Sequence, residues 1–421
     1  MGRFGILLGL LLMILGTASA DPVERRRDQY GKDFSYFVYP IGGDIPGLGS
    51  AFGLGATVLN IFSTDADFTG FSIDGDFKAS GYTLLDMQLL PQRLILDLGR
   101  YAFRVAPLQF NRGLDSSKDD YILPKVEGDY WQSQLTLTFD ERRTEFYYRL
   151  GLGNTRLLQV LDKDGNEFAA IDTASRFIRF STLGAMLDHT DDRLDPRNGI
   201  RGEFSGAWFH NTNRLQSEFV TMDYNLSGYI PASRWDTLAL NVFYSRAHLT
   251  RKATTDYETL RAQAGLGCAD LQPGAEREQC LQTEASLIEQ HVLQNRYGRA
   301  TALGGTQRLR SFANGRFYGG QSLFYGAEYR WNLTDEHTPF DIFVARGVRT
   351  GIQLALFAEQ GSVAERFSDL WKERRISYGA GFRVVLSGVV IRADVAYGNE
   401  GGEFILFINY PWSMFSVDDP S

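Results

Sequence analysis

Short segments of strict apolar–polar alternation recur along this 421-residue chain. After residue 20 no apolar run approaches the roughly 20 residues that a membrane-spanning helix needs. In 322–333 the odd positions Leu323, Tyr325, Ala327, Tyr329, Trp331 and Leu333 are apolar or aromatic, and the even positions include Ser322, Gly326, Glu328, Arg330 and Asn332. In 131–139, Gln132, Gln134, Thr136 and Thr138 alternate with Trp131, Leu135, Leu137 and Phe139; in 93–103, Leu94, Leu96 and Leu98 oppose Asp97 and Gly99. Period-two patterning makes strands with one oily and one polar face. A soluble sheet buries the oily face on a core, whereas a membrane barrel turns it to lipid and keeps the polar face in the lumen.

The first residues point to export. Arg3, the apolar run 6–15 and the small residues Ala18, Ser19 and Ala20 read as a signal peptide over 1–20, too short to span a bilayer. A short leader, 21–33, would follow it. Gly is abundant (44), aromatics make up 13 % and Pro is sparse (12), with no linker or low-complexity run, which favours one barrel over several soluble domains. A net charge of −8 leaves no footprint for nucleic acid, and Arg25-Arg26-Arg27 reads as a solvated leader rather than a phosphate site. The two cysteines, Cys268 and Cys280, with eleven residues between them, read as one disulfide in an exported protein. Closing that loop is worth about 3 kcal/mol; two free thiols are the alternative.

Sixteen strands can be placed, at 34–40, 53–62, 68–76, 83–90, 93–103, 131–139, 145–153, 176–187, 200–209, 219–229, 237–246, 322–333, 351–361, 376–386, 389–398 and 403–412. The expectation is an all-β, 16-stranded antiparallel transmembrane barrel over 34–412 with a long inward-folding loop, fourteen strands being the fallback. In the last strand Phe404, Leu406, Ile408, Tyr410 and Trp412 would share one face, and 413–421 forms a tail. An even strand number returns the chain to its starting side, so the short links (91–92, 231–235, 387–388) fall on the periplasmic side of a bacterial outer membrane and most long links outside. The segment 250–299 breaks the alternation: an insertion stapled by the cysteines, helical over 276–297, with Leu281, Leu287 and Val292 as inward candidates.

Four local patterns resemble one family. Leu309-Arg310-Ser311-Phe312 is similar to the Val-Arg-Gly-Phe/Tyr loop motif of the outer-membrane assembly-factor superfamily, the BamA-like or bacterial-surface-antigen barrels. Gly326-x-Glu328-x-Arg330 resembles its next strand, Phe357-Ala358-Glu359-Gln360-Gly361 the Phe-x-Asp-x-Gly strand after that, and 188–199 its Asp…Pro-x-x-Gly turn. The resemblance implies a barrel with a weak seam between first and last strands, and a long loop whose Arg docks in the lumen. Arg310 would bridge Glu328 and Glu359, with Arg330 beside them; the alternative readings are a solvated loop cation and wetted carboxylates.

The chain departs from the family at Ser311 (Gly), at Glu359 (Asp) and in the residues after Trp412, which leave either Trp412 or Phe415 as the terminal aromatic of the assembly signal. Between Ala20 and Phe34 there is no room for a POTRA module, which resembles a barrel-only branch. The function implied is assistance to insertion or transport of protein or lipid at the outer membrane, with a periplasmic or membrane protein partner, as a monomer or small complex. The second reading is a passive channel or structural barrel with a plug loop. An enzyme is disfavoured: His189, His210, His248, His291 and His337 are scattered and no Gly-x-Ser-x-Gly elbow occurs. His189 among Asp188, Asp191 and Asp192 reads as a polar turn rather than a metal site, and Gly47-x-Gly49 as a turn rather than a phosphate cradle, so no metal or cofactor is expected.

Overall fold

The computed structural model describes residues 26, 29–31, 33–45, 48–105, 111–118, 123–161, 167, 175–210, 214–233, 235–268, 271–334, 339–342, 345–386 and 389–412. The expected signal peptide, most of the leader, His337, the link 387–388 and the tail with Phe415 lie outside the described residues.

Sixteen antiparallel strands form the wall: β1 Ser35–Ile45, β2 Gly49–Leu59, β3 Asp67–Gly75, β4 Lys78–Leu90, β5 Leu94–Val105, β6 Leu123–Phe139, β7 Thr144–Leu161, β8 Arg176–Thr190, β9 Gly199–His210, β10 Glu218–Pro231, β11 Asp236–Arg251, β12 Gln321–Asn332, β13 Ala345–Ala364, β14 Arg375–Leu386, β15 Val389–Gly398 and β16 Gly401–Ile408. The short segment Pro339–Ile342 continues the line of β12 along the start of β13. Outward side chains such as Leu54, Trp131, Tyr148, Leu183, Leu356 and Tyr378 are exposed, while Gln132, Thr136, Glu145, Asn241 and Glu328 are buried. The protein is inside-out relative to a soluble one, as an apolar solvent requires.

The links fall on two rims. The near rim carries those after β2, β4, β6, β8, β10, β12 and β14. The far rim carries the rest, including the long 251–321 connection, while the short turns at 91–92 and after Pro231 are on the near rim. β1 runs on to Ile45, five residues past the end of the 34–40 strand expected there. Pro40, Gly42 and Gly43 are tolerated there because β1 is an edge: it pairs with β2 throughout but meets β16 only at Asp44↔Leu406. Its first residues pair instead with the start of β13, Tyr36↔Arg346 and Phe37↔Ala345. By contrast β15 and β16 pair from Ile391↔Ile408 to Gly398↔Gly401. The seam is thin.

The far-rim insertion holds α1 Tyr257–Ala264, capped by Asp256, and α2 Ala275–Tyr297, with Cys268 bonded to Cys280. Its buried face is Cys280, Glu284, Ile288 and Asn295, while Leu281, Leu287 and Val292 are half-buried. Polar residues hold that face because each has buried work. Glu284 accepts from Arg261 Nε at 3.0 Å and from the Leu266 amide at 2.8 Å; Asn295 bonds the Ser217 amide and the Leu215 and Thr254 carbonyls.

The expected last strand is corrected at its end. β16 stops at Ile408; Asn409 adopts a left-handed backbone (φ 77), and Pro411 has no amide for a ladder. Phe404 stays exposed on the wall, whereas Tyr410 and Trp412 turn into the lumen and do not share its face.

Candidate functional site

After α2 the chain enters the lumen as a finger. Ala300 pairs with Gly319 and Leu303 with Phe317, and the tip 304–316 lies beyond. Its base is tied to the wall: the Thr301 amide donates to Ser245 Oγ, and Ser322 Oγ donates to the Thr301 carbonyl. At the tip Gly304 and Gly305 have φ 111 and 102, a region that favours glycine, and a Cβ on either would strike Ala313 O or Asn314 Oδ1. Leu309 takes the tight left-handed position (φ 54) while Ser311 does not, so the family glycine is not needed at 311 for backbone reasons.

This geometry sets Arg310 on the wall, fully buried. Its Nε donates to Glu359 Oε1 at 2.9 Å, its amide to Glu359 Oε2 at 2.9 Å, Nη1 to Asp394 Oδ2 at 2.7 Å, and Nη1 and Nη2 to Glu328 Oε2 at 3.3 and 3.2 Å. The guanidinium also stacks 3.4 Å over the Phe357 ring. Glu328 receives Arg330 Nε at 2.7 Å and both terminal nitrogens of Arg383, Nη1 at 2.7 Å. Arg392 reaches Asp394 at 2.6 Å, the Asn409 carbonyl at 2.9 Å and the Thr306 carbonyl. Four guanidinia therefore face three carboxylates in a region closed to water, which holds together only because nearly every charge has several partners.

The structure thus brings Arg310, Glu328, Arg330 and Glu359 together. Leu309 and Phe312 join the adjacent apolar cluster with Phe243, Phe317, Phe324 and Trp412. Phe404, Leu406 and Ile408 stay on β16, away from the cluster, and the Cys268–Cys280 bond lies in the helical insertion. Sequence reasoning missed Arg383, Arg392 and Asp394. The signal was present: Arg392-x-Asp394 repeats on β15 the inward charged spacing of Glu328-x-Arg330 on β12.

The expected terminal aromatic sits inside the same site. Trp412 Nε1 donates to Glu359 Oε1 at 3.2 Å, and its carbonyl accepts from Asn225 Nδ2 at 2.7 Å. The Tyr410 hydroxyl lies 2.6 Å from Asp195 Oδ1 and 2.8 Å from Gln353 Oε1, which ties the post-strand segment 409–412 to the near-rim turn after β8. Wall glycines make the room: a Cβ on Gly326 would come 2.6 Å from the Trp412 ring, one on Gly361 2.8 Å from Leu309, and one on Gly398 2.2 Å from Ser311 Oγ.

No family model matches the chain, and no curated protein does. Among solved structures, CdiB from Escherichia coli aligns with a TM-score of 0.52 and 9 % identity, over 90 % of this chain and 62 % of that one. The two share a barrel fold. CdiB from Acinetobacter baumannii aligns at TM-score 0.48 and 12 % identity (90 % of this chain, 60 % of that one). The crystal structure of BamA from Haemophilus ducreyi lacking POTRA domains 1–3 aligns at 0.49 and 13 % (89 % and 69 %). The chain spans less than two thirds of either CdiB.

Proposed function

We propose that the chain is an outer-membrane barrel that assists insertion or translocation of protein or lipid, working with a partner that presents the client on the periplasmic, near-rim side. The observation that carries this reading is the finger latched by Arg310 to β12, β13 and β15, within a few strands of the thin β1–β16 seam. Buried ion clusters add little net stability over apolar packing but define one docked position. Such a latch suits a part that docks and undocks. Purified full-length protein in liposomes should speed insertion of an unfolded barrel client and capture a periplasmic protein from an outer-membrane extract; failure of both overturns the proposal.

A plugged passive channel is the second reading. It is favoured by the far-rim seals, where Arg112 pairs with Glu365 at 2.6 Å and Arg316 with Glu400 at 2.7 Å across the loops. If it holds, planar-bilayer conductance rises in Arg310→Ala while client insertion stays at background.

A further inference from the structure

The outer wall of β4–β8 changes character toward the far rim. One cross-strand row runs Tyr82, Arg100, Trp131, Leu152, Arg179. Tyr82, Trp131 and Leu152 are exposed, which fixes this row as outward-facing. Two residues further out the row is Ser80, Ala102, Asp129, Asn154, and two beyond that Lys78, Arg104, Glu127, Arg156. Each row sits on the same face because strand side chains repeat every second residue. Below it lie Leu98, Leu135 and Leu183, so the aromatic pair Tyr82–Trp131, 6.0 Å apart, marks the step from apolar wall to charged wall.

The charged rows surround a cleft of about 600 Å³ on this face. Its floor is made of small residues, Ser72, Ser80 and Ala102, and charged side chains including Lys78, Arg104 and Arg156 wall it. Three cations (Lys78, Arg104, Arg156) and three acids (Asp74, Glu127, Asp129) line the cleft, and two further cations, Arg100 and Arg179, stand in the row just below it. The ion pairs among them lie at the surface: Lys78–Asp74 at 2.8 Å, Arg104–Glu127 at 3.0 Å, Arg156–Glu127 at 2.6 Å and Arg100–Asp129 at 2.5 Å. Water and salt compete well with exposed pairs of this kind, so the cations exchange readily to a stronger acceptor. Arginine forks match phosphate oxygens bidentately.

We propose that this cleft binds the anionic, phosphate-bearing headgroup of a lipid in the leaflet at the far rim. A lipid is favoured over a free anion because the exposed Leu98, Leu152 and Trp131 directly below would hold its chains and keep the phosphate at cleft height. The proposal rests on the membrane-spanning reading but not on the finger or on any client.

The test uses the full chain in detergent micelles, titrated with dioleoyl phosphatidic acid or with dioleoyl phosphatidylcholine and followed by native mass spectrometry. The wild type should hold one phosphatidic acid at least about tenfold more tightly than phosphatidylcholine, a difference of about 1.4 kcal/mol. The triple variant K78Q/R104Q/R156Q should lose that preference, and R246Q, on the opposite wall, should keep it. Equal binding of the two lipids by the wild type, or a preference that survives in the triple variant, overturns the proposal. Complete displacement by excess inorganic phosphate also overturns it, because the site would then be one for the free ion. Client insertion by the wild type is measured separately: no insertion with the phosphatidic acid preference present sinks the assembly reading alone, and insertion without that preference sinks the lipid site alone.

Discussion

Glu328, rather than Arg310, is the residue on which the lumen cluster depends, and Glu328→Gln against Glu359→Gln tests this. Both substitutions are isosteric and both remove one negative charge, leaving four guanidinia against two carboxylates. They differ in what is stranded. Without the Glu359 charge, Arg310 still holds Asp394 at 2.7 Å and Glu328 at 3.2 Å, and the glutamine keeps one acceptor oxygen, for the Arg310 amide or for Arg310 Nε and Trp412 Nε1, while its NH2 faces the other side. That exchange of charged for neutral hydrogen bonds costs about 1–2 kcal/mol. Without the Glu328 charge, Arg330 loses its carboxylate partner at 2.7 Å and Arg383 is left with Asp394 at 4.0 Å, both deep in the wall. Stranding a buried charge costs about 3–5 kcal/mol. The expected gap of about 2 kcal/mol is roughly 30-fold in the equilibrium for finger release. Trypsin reads that equilibrium at Arg308 and Arg316, since cleavage follows the open population when opening and closing are fast. Cleavage of folded Glu328→Gln in micelles should run about 30-fold faster than that of Glu359→Gln. Equal rates, or a faster Glu359→Gln, refute the assignment.

Gly326→Ala should destabilise the barrel by about 1–3 kcal/mol in urea unfolding by displacing the Trp412 ring, and by much less in a Trp412→Ala background; additive effects would show that Trp412 is not the neighbour that matters. Cys268→Ser with Cys280→Ser should loosen the helical insertion by about 3 kcal/mol, read by hydrogen exchange in α2, and leave exchange in β2–β8 unchanged. His291 on α2 has its pKa pulled below the ordinary value by burial, against an opposing hydrogen bond to the Leu215 backbone. Because the unfolded form takes the proton first, α2 should lose protection as pH falls below about 6.5, and His291→Phe should abolish that dependence.

The wall was legible because its signal is local: a strand facing lipid on one side and polar groups on the other must alternate, and Tyr325 to Leu333 does so residue by residue, with Phe324 before it turned inward to the finger's apolar cluster. The finger's destination was legible only by resemblance, since nothing in the spacing of Arg310, Glu328 and Glu359 brings them together before the barrel closes. The α2 face was misread from its leucines because Glu284 and Asn295 satisfy groups supplied by Arg261, Ser217 and Thr254, partners distant in sequence. The terminal segment was misread for a different reason. Every even position from Phe404 to Trp412 is apolar or aromatic, which carries the strand pattern past its end, and only the left-handed Asn409 and the proline after Tyr410 show that the strand stops.

That turn gives the glycines their meaning. Gly326, Gly361 and Gly398 lie on three different strands, β12, β13 and β15, and each vacates the space taken by a different guest: Trp412, Leu309 and Ser311. A polar lumen wall has no need of such hollows for its own packing, and a glycine weakens a strand interior. The hollows make sense as a mould for the finger and the post-strand segment 409–412 together. Glu359 joins the two guests chemically, because its Oε1 accepts from both Arg310 Nε and Trp412 Nε1. A finger that leaves takes a donor from the carboxylate that also holds Trp412, and residues 409–412 continue the strand that forms the seam. The lock in the lumen and the weak edge in the wall are therefore parts of one contact network, joined through residues 409–412.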